Sequence, residues 1–326
     1  DWLQRPENGL RGLDAALQTA GANVSADDVF KGWVVANLIG DNSRAPAEYQ
    51  YDRLNFGRVT PQTLGNLPSD GQTTVSQYAA DYYSLDSSRA LRVEFTGAAK
   101  VRPIAAAPHS GEHYWWSGRA NHSDITLTHE FDLSAVSSAS LHYWAWFDIE
   151  NGWDYGYLVV STDGGKTWQG LATPGMTDYD PQNKAYTQKF YTGDSGGDWV
   201  EESADLTPFA GNKILLRFEY ITDPILTMSG LAIDDLSIPE INFHDDAESD
   251  AGWQAAGFNR VTAYLPEEWS LQWVTFAGNV PTVQPVAVAD GTHASFDVPA
   301  KFNAVLVVSA FAPTTLEPAA YELHVK

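Results

Sequence analysis

Residues 144–168 read Trp-Ala-Trp-Phe-Asp-Ile-Glu-Asn-Gly-Trp-Asp-Tyr-Gly-Tyr-Leu-Val-Val-Ser-Thr-Asp-Gly-Gly-Lys-Thr-Trp. The pattern predicts two aromatic β-strands meeting at an acidic turn around Asn151-Gly152, then a tight turn at Asp163-Gly164-Gly165. Side chains alternate along a strand, so Leu141, Tyr143, Ala145, Phe147 and Ile149 share one face. His142, Trp144, Trp146, Asp148 and Glu150 share the other. The first face is core. The second suits a cation site or an aromatic binding surface.

Strand patterning continues outward on both sides. Leu91, Val93 and Phe95 alternate with Arg92 and Glu94, and Ile214, Leu216, Phe218 and Tyr220 with Leu215, Arg217 and Glu219. Short strands up to Ile238 predict an antiparallel sandwich. After Asp245-Asp246, strands are expected at Leu271–Phe276, Val280–Val288, His293–Val298, Ala304–Ala312 and Tyr321–Val325. Only the first 40 residues read as helical. Leu10, Leu13 and Leu17 recur at helical spacing, with Gly21 as a stop. Ser25 is an N-cap before Asp27 and Asp28, and Val29, Phe30, Trp33, Val34 and Leu38 form an apolar stripe. Residues 42–70 read as a linker. The expectation is a mostly β chain: a helical remnant and linker over 1–60, a jelly-roll-like antiparallel β-sandwich over 61–240 and a smaller β-sandwich over 241–326.

With 326 residues, 12 Trp, 15 Tyr and 14 Phe, the chain has material for a large core and is not disordered. A net charge of −23 argues against nucleic acid and anionic membranes as partners and favours divalent cations or neutral ligands. There is no cysteine, which removes disulfides and thiolate chemistry. No apolar run reaches membrane-spanning length. The opening Asp1-Trp2-Leu3, without a methionine, reads as a processed product.

Several catalytic patterns occur in the wrong setting. Gly193-Asp194-Ser195-Gly196-Gly197 matches nucleophile loops, but its flanks are turn-rich β structure with no partner histidine in a matching motif. His109-Ser110-Gly111-Glu112-His113 matches an inverted zinc-peptidase pattern that works only on a helix, and Pro108 and Gly111 exclude one. Ser161–Trp168 fits the Asp-box hairpin, in one copy. Asp148 and Glu150, on one strand face, can serve as a glycosidase acid–base pair, as calcium ligands, or as a solvated acidic edge. Asp154 beyond the turn favours calcium. So does Asp234-Asp235, where one carboxylate must face the apolar side and needs a cation or several donors.

These stretches resemble a family. Trp116-Ser117-Gly118, Asp124, Phe131-Asp132-Leu133-Ser134, Phe147–Glu150, Asp154–Tyr157, the Ser161–Trp168 run and Gly230–Asp235 resemble the non-catalytic β-sandwich of secreted immune inhibitor A-type metallopeptidases, over residues 75–240. Asp245–Glu248, Gly252-Trp253 and Gly257-Phe258 resemble the module that follows it. Gly9–Leu13 and Asp28–Asn37 resemble the end of a zinc-peptidase helical domain. The resemblance implies a secreted or cell-surface bacterial protein and structural calcium at Asp124, Asp148, Glu150, Asp154, Asp234 and Asp235. Its zinc would belong only to the catalytic part, whose motif is absent here, so no catalytic residue is assigned and no activity is expected of this chain. The partners implied are that catalytic domain and an extracellular protein or polysaccharide. The alternative is a carbohydrate-binding or adhesive module presenting Trp115, Trp144, Trp146 and Trp153. A third reading is a hydrolase using Asp148 and Glu150.

Overall fold

The computed structural model describes residues 9–40, 43–51, 59–63, 71–85, 88–278, 280–301, 303–313 and 315–326; the chain start and residues 42, 52–58 and 64–70 of the expected linker lie outside them. The described residues divide into two compact units, one of Arg102–Tyr264 and one of the residues up to Val101 together with Leu265–Lys326.

In the Arg102–Tyr264 unit, two antiparallel sheets enclose one core. The first runs Gln169–Gly170, Tyr155–Ser161, Lys213–Ile221, Asp124–Asp132, Gln254–Ala256. The second runs Gly193–Asp194, Ser140–Ile149, Gly230–Ile238, His113–Trp116, Asn259–Thr262, with Val200–Asp205 and Phe243–Asp245 pairing alongside. The expected alternation holds: Leu141, Tyr143, Ala145, Phe147 and Ile149 all enter the core, where they meet Leu127, Phe131, Leu216, Phe218, Leu231 and Ile233. The strands on either side of Asn151-Gly152 do not pair with each other. Ser140–Ile149 and Tyr155–Ser161 lie in different sheets, so the turn between them crosses the sandwich edge. Gly230 opens its strand at φ +89°, where a Cβ would lie 2.7 Å from the Gly118 carbonyl oxygen, so only glycine fits.

The expected division at residue 240 differs from this geometry. Phe243–Asp245 pairs with Gly230–Ile238, Gln254–Ala256 with Asp124–Asp132 and Asn259–Thr262 with His113–Trp116. Trp253 and Phe258 complete the core. Asp245, nearly inaccessible, accepts the indole N–H groups of Trp115 (3.3 Å) and Trp253 (2.7 Å) and the Ala247 N–H (2.9 Å). The Trp115 bond ties residues 241–262 to the strands before them, and the other two fold the segment onto itself.

In the other unit, Gln62–Thr63, Ala80–Ser84, Ala304–Ala310, Trp269–Ala277 and Val280–Val286 form one sheet. Gln72–Val75, Ala319–Val325, Leu91–Gly97 and His293–Val298 form the other. The strands expected after 265 are all present, and the Leu91–Gly97 strand is paired on both sides by them. Helix α1 spans Gly9–Thr19 and α2 Ala26–Ile39. Ser25 caps α2 in a reciprocal box with Asp28. Val34, Val35, Leu38 and Ile39 of α2 pack on Val274, Val305 and Val307, while Leu306 and Val308 face the core between the sheets. Both faces of Ala304–Ala310 are therefore covered, which explains why every residue of that strand is apolar or small.

Phe218, fully buried between the sheets, provides a test of the core. Phe218→Ala is expected to cost about 3–5 kcal/mol, read as a fall in the urea midpoint; a change near zero contradicts this packing.

Candidate metal centre

The turn after Ile149 is short because the N–H groups of Trp153 and Asp154 both return to the Glu150 carbonyl (3.2 and 3.1 Å). This places Glu150 and Asp154 at the two feet of one turn. Ile221 pairs with Tyr155, so the chain just beyond it brings Asp223 to the same edge. Glu150, Asp154 and Asp223 each offer an oxygen, and these atoms lie within 4.8 Å of one another. That is the span of two ligands across a cation with metal–oxygen distances of about 2.3–2.6 Å.

Asp154 is completely buried. It accepts the Asp223 N–H at 2.7 Å and a long bond from the Tyr220 hydroxyl at 3.4 Å. Burial pushes its carboxyl up to about 6, and the neighbouring Asp223 and Glu150 carboxylates add to the shift. Burial also raises Glu150, again with Asp223 contributing. Glu150 Oε2 is buried and has no hydrogen-bond partner among the described residues. An orphaned oxygen beside two further carboxylates fits a cation, and an all-oxygen donor set suits a hard one such as calcium or magnesium rather than zinc.

The other expected ligands sit elsewhere. Asp148 accepts the Ser229 hydroxyl (2.8 Å) and N–H (3.3 Å). Asp124 is exposed at its strand start, beside Glu219, which burial holds above its ordinary value and which accepts the Tyr186 hydroxyl. Asp234 is buried and met by donors: its Oδ2 accepts the His109 and Ser110 N–H groups (2.9 and 3.2 Å) and its Oδ1 the Asp235 N–H (2.9 Å). Asp235, at φ +48° in a bulge, holds the Ser110 hydroxyl (2.7 Å) and His109 Nδ1 (2.5 Å). Several donors, the option left open beside a cation, therefore account for Asp234.

Comparison with known proteins decides the family. Residues 74–263, more than half of the chain, match the family described as immune inhibitor A-like, MAM domain. The chain belongs to this family. The MAM domain is the non-catalytic region of such bacterial metallopeptidases. The chain is 31% identical over 198 residues to the pre-pro-metalloprotease PrtV of Vibrio cholerae, covering 59% of this chain and 20% of that protein. It is 30% identical over 182 residues to immune inhibitor A of Bacillus thuringiensis, covering 53% and 24%. Bacillopeptidase F of Bacillus subtilis is similar at 25% over 150 residues, 44% of this chain and 9% of that protein. The chain thus spans a quarter or less of the length of these relatives.

Within this MAM domain the tryptophans expected on a ligand surface are mostly interior. Trp115 lies in the core between the sheets. Trp146 is buried against Tyr114, Trp116 and Ile104. Trp144 is half-buried, with the His109 ring stacked on it at 3.9 Å. Trp153 alone of the four is exposed, with Lys184 Nζ 5.0 Å from its ring centroid. The nucleophile-like Ser195 hydroxyl donates to the Asp198 carbonyl (2.8 Å) within its loop. His109 and His113 diverge to different acids, Asp235 and Glu248. Asp163 accepts the N–H groups of Lys166 and Thr167 and the hydroxyls of Ser161 and Thr167, so the Asp-box is a structural hairpin. Asp223 was missed because it carries no motif; only the strand register places it opposite Asp154.

Asp154 and Asp234 are raised to about 6 and about 7, while the unfolded chain releases these protons near 3.8. Their stabilisation is complete below about pH 4 and is lost as pH rises through 6 to 7. In chelator-treated protein the melting midpoint is expected to fall by a few degrees between pH 5 and pH 8. Asp234→Asn should flatten part of that fall; a midpoint that climbs over this range refutes the assignment.

Proposed function

We propose that this chain is a cation-stabilised accessory region of a secreted bacterial metallopeptidase, in which calcium ties together loops at one end of a jelly-roll-like MAM sandwich. The observation that carries it is the Glu150–Asp154–Asp223 cluster with its orphaned Glu150 oxygen. Three carboxylates drawn together in a chain of net charge −23 repel one another until a divalent ion sits between them. Glu150, Asp154 and Asp223 would hold that ion, and water would complete its shell. The ion supplies charge neutralisation, and bond cleavage belongs to a zinc catalytic domain elsewhere in a longer polypeptide. The relatives named metalloprotease, several times longer than the matched region, support that parentage. The accessory region would support the catalytic domain or target it to an extracellular protein or polysaccharide. Residues up to about 60 are read as the end of the peptidase helical part, and the exposed Val29 and Trp33 on α2 are consistent with a further surface packing there. Asp124, Asp148, Asp234 and Asp235 have their own partners or places and are secondary candidates.

Thermal melting tests the reading. After chelation, calcium at a hundredfold excess over its dissociation constant should add about 2.7 kcal/mol, a rise of several degrees. Asp154→Asn and Asp223→Asn should each abolish the rise while raising the midpoint in chelator, because each removes a repelling charge. No rise with either calcium or magnesium overturns the proposal. Protons compete for Asp154, so calcium affinity is expected to weaken as pH falls through about 6, which titration calorimetry at pH 5.5 and 7.5 measures.

A further inference from the structure

Between Gln169–Gly170 and Gly193–Asp194 the chain makes a long excursion, residues 171–192, with little sheet pairing. Leu171, Met176 and Tyr191 enter the sandwich core near its ends, while its middle carries the exposed Tyr179 and Tyr186. At the root of this excursion lies a charged residue type that a core does not tolerate freely. Glu202, on Val200–Asp205, is 1% exposed and sits opposite Tyr143 in the sheet.

Glu202 Oε2 accepts the Gly175 N–H of the excursion at 3.1 Å. Its Oε1 is buried with no hydrogen-bond partner among the described residues. A Cβ at residue 175 would collide with that oxygen, so any larger residue there would displace the carboxyl from its present place. A chain of hydroxyls runs beside the carboxyl: Tyr143 to Tyr191 at 2.7 Å and Tyr191 to Thr173 at 2.9 Å. Tyr143 from the Ser140–Ile149 strand and Tyr191 from the excursion are the titratable groups facing Glu202. Burial holds both phenols far above their ordinary value, so neither carries charge near neutral pH. A carboxylate here would have one backbone donor, with the Thr173 and Tyr191 hydroxyls beside it offsetting the cost of burial only in part, whereas a neutral carboxyl is less costly to enclose.

We propose that Glu202 is a proton-holding latch: in its neutral form it fastens the 171–192 excursion to the sandwich, and its ionisation releases that excursion before the sheets unfold. Burial moves its carboxyl above the ordinary value, which is the direction the latch needs. The excursion is the weaker partner because it has few ladder hydrogen bonds, and segments of that kind open first. Release reaches further than the latch. Thr192, at the far end, accepts the Gly152 N–H (2.7 Å) and donates to the Glu150 carbonyl (3.2 Å). Opening on ionisation of Glu202 therefore loosens the turn that bears Glu150 and Asp154.

Hydrogen exchange on the whole 326-residue chain between pH 4 and pH 9, corrected for intrinsic rates, tests this. In the unaltered protein, amides of residues 173–177 and 190–192 should lose protection by up to roughly tenfold per pH unit as pH rises from the ordinary glutamate range to the raised titration of Glu202 and level off above it, while Lys213–Ile221 and Gly230–Ile238 stay protected. Glu202→Gln keeps the shape and removes the charge, and should stay within about twofold over the same range. Equal pH dependence in the two proteins, or simultaneous loosening of all strands, overturns the latch. Should the variant fail to fold, carboxyl 13C titration of glutamate-labelled unaltered protein decides. A Glu202 signal titrating in the ordinary glutamate range refutes the proposal, and one raised together with shifts at Thr173 and Tyr191 supports it.

Discussion

Enclosing carboxylates in a β-sandwich is the constraint on which the Arg102–Tyr264 unit turns. An acid removed from water must meet hydrogen-bond donors, keep its proton or share a cation. The unit meets this demand differently from place to place. Asp245 and Asp234 are satisfied by N–H groups, from indoles in one case and backbone in the other. Glu202 has one donor and one bare oxygen. Asp154 faces two more acids. Each of these acids bonds an irregular segment, so the loops of this unit are held by carboxyl groups as well as by apolar packing.

Much of this fold was legible in sequence because period-two alternation is a local signal. Leu141 to Ile149 and the strands after residue 265 needed no long-range information, and neither did the Ser25 cap of α2. Pairing is not local. Nothing near Leu91–Gly97 announces that its neighbours are His293–Val298 and Ala319–Val325. Nor does Asp245-Asp246 announce that it completes a sheet begun at His113 rather than opening a new unit.

The candidate site was half visible for the same reason. Glu150 and Asp154 flank one turn and could be read together; Asp223 joins them only through the pairing of Lys213–Ile221 with Tyr155–Ser161. Composition misled over the tryptophans. An aromatic on the polar side of a strand is exposed only if nothing lies over that side, and Ile104, Ala106 and Trp199 lie over Trp146. Asp234 was correctly read as a carboxylate in need of help, but the donors that supply it come from His109 and Ser110, far away in sequence.

The interruption of one unit by the other has a consequence for biosynthesis. Arg102–Tyr264 is contiguous, so all its strands are synthesised before residues 265–326. The Leu91–Gly97 strand emerges earlier still, yet both its partners are translated only after the whole intervening unit. Until then its apolar face and both its edges stand open, the condition under which a nascent strand recruits wrong neighbours. Folding of the intervening unit shortens the effective loop that the late strands must close to reach the waiting one.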